Sequence, residues 1–141
     1  MSSTQENKAI ALRWDEVWHQ GTVDDLDAIF ASDFVDHAPS EEETHGLEHF
    51  KARWHLLKEA FPDLTCAYQH LIAEGEYVVL HWVASGTHQG DYLGYPATRR
   101  RVAFHGNTIF RVVDGKVTEG WTYHDSDGLI KQLRGDTTAA S

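Results

Sequence analysis

Hydrophobic positions along this chain change their period near its middle. In the first half they recur as on a helix: Ile10, Trp14, Val17 and Trp18 stand at i, i+4, i+7 and i+8, and the stripe stops at Gly21. Asp24 and Asp25 then predict a short helix carrying Leu26, Ile29 and Phe30, with the acids at the positive end of its dipole. A third helix is predicted after Gly46, where Leu47, Phe50, Trp54, Leu57 and Phe61 share one side until Pro62 forbids continuation.

Beyond Pro62 the pattern alternates and turn residues recur at strand-length intervals. Leu64 to Ala73 and Tyr77 to His88 flank the turn Glu74-Gly75-Glu76, and the second run contains the strand-forming Tyr-Val-Val-Leu-His-Trp-Val. A loop from Gln89 to Thr98 follows. Arg99 to Val113 and Lys116 to His124 then flank Asp114-Gly115, a strong hairpin signal. Asp125 to Leu133 is predicted to be a closing helix, and Gly135 to Ser141 a loose tail. Helices first and an antiparallel sheet afterwards predict an α+β fold, with helices covering one face of a curved sheet. Such a sheet leaves a cone-shaped interior suited to a small molecule.

Length and composition restrict the function. With 141 residues and no internal linker, residues 1–141 read as a single domain. A formal charge of −10 argues against a nucleic-acid partner, since the basic run is limited to Arg99, Arg100 and Arg101. No stretch has the length of a membrane span and the N-terminus lacks the apolar core of a signal peptide, which predicts a cytoplasmic protein. Cys66, the single cysteine, excludes an internal disulfide and reads as a buried inert thiol. Ten histidines are unusual, yet none falls in a helix-borne zinc pattern, so no metal is expected.

Several stretches occur in a telling order: Asp33-Phe34-Val35-Asp36-His37-Ala38-Pro39, Gly46-Leu47-Glu48-His49-Phe50-Lys51 and Ala60-Phe61-Pro62-Asp63-Leu64. Gly86-Thr87-His88-Gln89-Gly90, Gly94-Tyr95-Pro96, Phe110 to Val117, Glu119-Gly120-Trp121 and Asp125 with Gly128-Leu129-Ile130 continue the series. Taken together, over nearly the whole chain, they resemble the SnoaL-like polyketide cyclase family of the nuclear-transport-factor-2-like superfamily. The resemblance implies a cone-shaped α+β barrel, with N-terminal helices on a curved, mixed, mostly antiparallel sheet. It also implies a homodimer formed sheet to sheet and a hydrophobic or aromatic small molecule in the cone. Cyclases of this family carry out an intramolecular aldol condensation on an ester-bearing polyketide without cofactor or metal. An aspartate serves as their acid–base residue, and histidine and aromatic side chains hold the substrate.

Asp125 matches that aspartate, and burial in an apolar cone would raise its pKa toward neutrality. It could equally cap the closing helix. Counting outward from the Asp114-Gly115 turn without a bulge pairs His105 with His124 and places Phe110, Glu119 and Trp121 on the other face; one bulge would exchange the sets. Which set faces the pocket is open at this level. His37 stands where the family commonly faces the pocket mouth. Asp125, His37 and His105 are therefore the candidate catalytic residues. Trp14, Trp18, Trp121, Glu119, His124 and Phe110 are the candidate substrate contacts. In the central strand Arg111 or Ile109 stands where cyclases of known activity place a pocket histidine. Isomerisation or hydrolysis in the same cone, and ligand binding without turnover, are the alternative functions. A dimer is expected on physical grounds as well, because Val79, Trp82 and Ile109 cannot all point inward.

Overall fold

The computed structural model describes residues 3–37 and 43–137. Pro39, the last residue of the first quoted stretch, and the tail beyond Thr137 lie outside the described residues.

Helix α1 spans Thr4–Gln20, opened by Ser3, whose Oγ accepts the Glu6 N–H at 3.1 Å. The next predicted helix is a single 3-10 segment, Val23–Ala28, in which the Asp25 carboxylate accepts the Thr22 N–H at 2.8 Å. It ends before Ile29 because Phe30 already opens strand β1, Phe30–Asp36, and the Ile29 carbonyl accepts the Val117 N–H. A two-residue strand β2, Thr44–His45, precedes helix α2, Glu48–Ala60. Strands β3, Thr65–Glu74, and β4, Tyr77–Thr87, form one hairpin; β5, Arg101–Val113, and β6, Lys116–His124, form the next. Asp114 and Gly115 both have positive φ, the backbone that the tight turn between β5 and β6 demands. Helix α3 follows at Ser126–Leu133.

The six strands form one unclosed sheet in the order β2-β1-β6-β5-β4-β3, with β1 parallel to β6 and every other pair antiparallel. One irregularity decides which side chains meet. Val112 pairs with Val117, but Arg111 pairs with Glu119, so Thr118 is an extra residue in β6. Val117 and Gly120 therefore both point inward, and beyond the bulge every β6 side chain has exchanged faces relative to a plain count. Packing pins the bulge: a Cβ at Gly120 would lie 3.0 Å from the Phe34 ring, so the glycine belongs beneath that phenylalanine.

The inner face carries Val78, Leu80, Ala84, Val102, Phe104, Phe110 and Val112, all buried against residues of the helices and β1. β5 extends beyond the end of β6, and α3 covers the surplus. Gln132 bridges Ala103 there: its Oε1 accepts the Ala103 N–H at 2.9 Å and its Nε2 donates to the Ala103 carbonyl at 2.8 Å. No helix among the described residues is long and apolar enough to cross a membrane.

Candidate functional site

Between the inner face of the sheet and the three helices lies a cavity of about 530 Å³. Aromatic residues dominate its wall: Trp14, Trp18, Phe50 and Trp54 from α1 and α2, and Trp82, Phe104 and Phe110 from the strands. They lock one another in place edge to face; Trp18 and Trp54 rings are 4.8 Å apart at 78°, and Trp14 meets Phe30 at 5.6 Å and 87°. On the strand side the Trp82 Nε1 donates to Thr108 Oγ1 at 3.0 Å, and Thr108 in turn lies 3.3 Å from Thr122 Oγ1. Trp82 is thus an inward residue, while Val79 and Ile109 project outward. The buried Trp18 Nε1 has no hydrogen-bond partner among the described residues.

Burial disfavours the charged forms of Cys66, Tyr68, Tyr92 and His124 on this wall. Desolvation pushes the Cys66 thiol up to about 12, with the negative charge of Asp15 adding to it, and burial likewise raises Tyr68 and Tyr92. For His124 burial acts in the other direction. Desolvation first, then repulsion from Arg53, lowers its pKa below the usual 6.5, partly opposed by Asp125. The cavity therefore presents a neutral imidazole. Arg53, reaching from α2, is the guanidinium on the wall, and its Nη1 donates to the Asp36 carboxylate at 3.1 Å.

The expected residues divide between two faces. Trp14, Trp18, Phe110 and His124 line the cavity. His105, Glu119 and Trp121 do not: the Thr118 bulge pairs Glu119 with Arg111, Trp121 with Ile109 and His124 with Gly106, while His105 points outward because it alternates with the inward Phe104 on β5. His105 accordingly lies on the outer face beside His81, their rings 6.2 Å apart, with His70 beyond at 2.9 Å between Nδ1 atoms. His37 also belongs to the outer side. Its ring stacks on Trp121 at 4.7 Å and 9°, between the carboxylates of Glu43 and Glu119, both 2.9 Å away. Arg111 completes this network, donating from Nη1 to Glu119 at 2.8 Å and from Nη2 to Glu76 at 3.0 Å; the hydrogen bond from Arg111 holds Glu119 below the usual carboxylate range, with His37 adding to it. Asp125 is exposed and caps α3, its Oδ1 accepting the Gly128 N–H at 2.9 Å. It shares a shallow outer depression with His81, His105 and His124.

The inventory from sequence omitted Arg53 and Asp36. A signal existed: Phe34 and Asp36 alternate on one face of β1, so an apolar face was bound to carry a carboxylate in need of a cation. Among the described residues no group of three or more His, Cys, Asp or Glu side chains is placed to hold a metal ion.

Comparison with known proteins defines the class. The model of the SnoaL-like polyketide cyclase family matches residues 8–133, and the chain belongs to that family. It is 28% identical over 118 residues to the nogalonic acid methyl ester cyclase of Streptomyces nogalater, covering 82% of this chain and 88% of that protein. The aklanonic acid methyl ester cyclase DauD of Streptomyces sp. strain C5 is 30% identical over 125 residues, covering 84% of this chain and 75% of its own length. Among solved structures, AclR of Streptomyces galilaeus, described provisionally as a hydroxylase, superposes with a TM-score of 0.85 at 28% identity. That match covers 99% of this chain and 87% of AclR.

Proposed function

We propose that this protein is a cofactor-independent cyclase that closes a ring in an ester-bearing polyketide by intramolecular aldol chemistry, within a single SnoaL-like domain. The carrying observation is a neutral imidazole, His124, on the wall of an aromatic cavity large enough for a planar multi-ring molecule. Family membership and the cyclase relatives support the same reading.

In this reading the tryptophans hold the rings flat. His124 removes a proton alpha to a carbonyl, the resulting carbanion attacks a second carbonyl, and the new alkoxide takes the proton back from the imidazolium. Asp125, next along the chain, stabilises that imidazolium from the rim. The outer sheet face, with Ile72 and Tyr77 exposed beside Val79, Ile109 and Trp121, supports a homodimer in which that face is covered. A cytoplasmic location belongs to the same proposal.

A second reading, binding without turnover, draws support from Asp125 itself, whose carboxylate is engaged in capping and open to water.

Incubation with aklanonic and nogalonic acid methyl esters, followed by chromatography and absorbance of the product, tests both. His124→Asn is expected to lower turnover on the order of 10²–10⁴-fold. Because the imidazole stays neutral below its usual 6.5, the acid limb of kcat/KM should lie below pH 6.5, activity falling as pH drops through it. Asp125→Asn keeps the cap while removing a charge that raises His124, so the limb should move further down. Collapse in Asp125→Asn with an active His124→Asn would transfer the base to the carboxylate. Tight binding of both esters without product would favour the binding module.

A further inference from the structure

We propose that Arg53, held by Asp36, forms an oxyanion-binding subsite in the cavity, and that the substrate places an enolate, phenolate or carboxylate oxygen there. The inference builds on the cyclase reading and assigns the charge of the molecule that the cavity takes.

The two partners are unequally placed. The Asp36 side chain is 4% exposed and stands behind the wall at an inward position of β1, next but one to the buried Phe34. Arg53 is 32% exposed and lies on the wall itself. Neutralising a buried carboxylate would explain an arginine beside Asp36, but it does not require the cation to face the cavity. One hydrogen bond, from Nη1 to Asp36 Oδ2 at 3.1 Å, anchors the guanidinium. Among the described residues that is its protein partner, so Nε and Nη2 of the same planar fork remain to serve a ligand. The charge also reaches the groups around it: Arg53 acts on both His124 and Tyr92.

Position and chemistry agree. When His124 takes a proton alpha to a carbonyl, the electron pair moves onto the carbonyl oxygen, and negative charge develops inside an apolar chamber. A preorganised guanidinium there stabilises the enolate far more than it would in water. Arg53 is a candidate catalytic residue because it would touch that oxygen. Asp36 is a positioning residue acting through it.

The test uses a matched pair of planar probes, anthraquinone-2-carboxylate and its neutral methyl ester, titrated against the intact protein and followed by quenching of tryptophan fluorescence. The wild type is expected to bind the carboxylate on the order of tenfold more tightly than the ester. In Asp36→Asn/Arg53→Gln, which leaves no unpaired buried charge, that preference should vanish while ester affinity stays within about twofold and the protein remains folded. Equal binding of both probes by the wild type, or a preference that survives in the double variant, would overturn the subsite while leaving the cyclase reading in place. If neither probe binds the wild type, the subsite and the planar-ligand reading of the cavity both fall.

Discussion

Gly106→Ala is expected to be among the most costly single methyl additions to this sheet. A Cβ at Gly106 would clash with Cη2 and Cζ2 of Trp82 and lie 2.8 Å from Cε2, because the indole lies over the glycine on the neighbouring strand. The ring must tilt away, and its hydrogen bond to Thr108 Oγ1 is lost with it. Overpacking costs about 1–3 kcal/mol and the hydrogen bond about 0.5–1.5 kcal/mol, a loss of about 2–4 kcal/mol in all. For a chain of this size that corresponds to roughly 6–12 °C in Tm by calorimetry. The same indole lines the cavity, so ligand affinity should fall as well. A double-mutant cycle isolates the cause: in a Trp82→Leu background Gly106→Ala should cost under about 1 kcal/mol, giving a coupling above about 1 kcal/mol. An equal cost in both backgrounds would refute the contact as its origin.

Two further outcomes are expected. Gln132→Leu strands the N–H and the carbonyl of Ala103, which Gln132 alone bridges among the described side chains, and should cost about 2–4 kcal/mol, read as a lower urea midpoint at unchanged slope. Cys66, with its thiol pushed up to about 12, should react with iodoacetamide at pH 8 roughly 10³-fold more slowly in the native protein than in urea, followed by mass spectrometry. Comparable rates in the two states would mean that the thiol is not buried.

The hairpin β5–β6 is legible almost residue for residue, since Asp114-Gly115 fixes the turn and alternation fixes the strands on either side. What alternation cannot fix is the bulge. Val117 and Gly120 point the same way although three residues apart, and Gly120 contributes nothing to a hydrophobic pattern; its signal is the bulk of Phe34, remote in sequence. Glu119 and Trp121 share a face with Phe110 only in a register that holds as far as Val112, whereas His105 alternates with the buried Phe104 whatever the register of β6. The expected second helix shortened to a 3-10 turn for a local reason, the early demand of Phe30 for the sheet. Trp14 and Trp18 were readable as cavity residues because a stripe on the first helix must face the sheet, whatever the register. Arg53 and Asp36 are 17 residues apart and on different elements, so only their shared apolar surroundings join them.

The bridge between Gln132 and Ala103 also bears on how the chain is made. From Arg101 to His105, β5 has β4 on one side and no strand on the other, because β6 ends opposite Gly106. Such a margin invites any extended segment to add itself, in this molecule or in a neighbouring one. The amide that guards it arrives 29 residues later, after β6 has been laid down and α3 has turned back. Until α3 docks, that margin of β5 is unsealed. Substitutions in α3 that leave the finished cavity intact should thus appear first as lower yield of folded protein, set by how long that margin stays open.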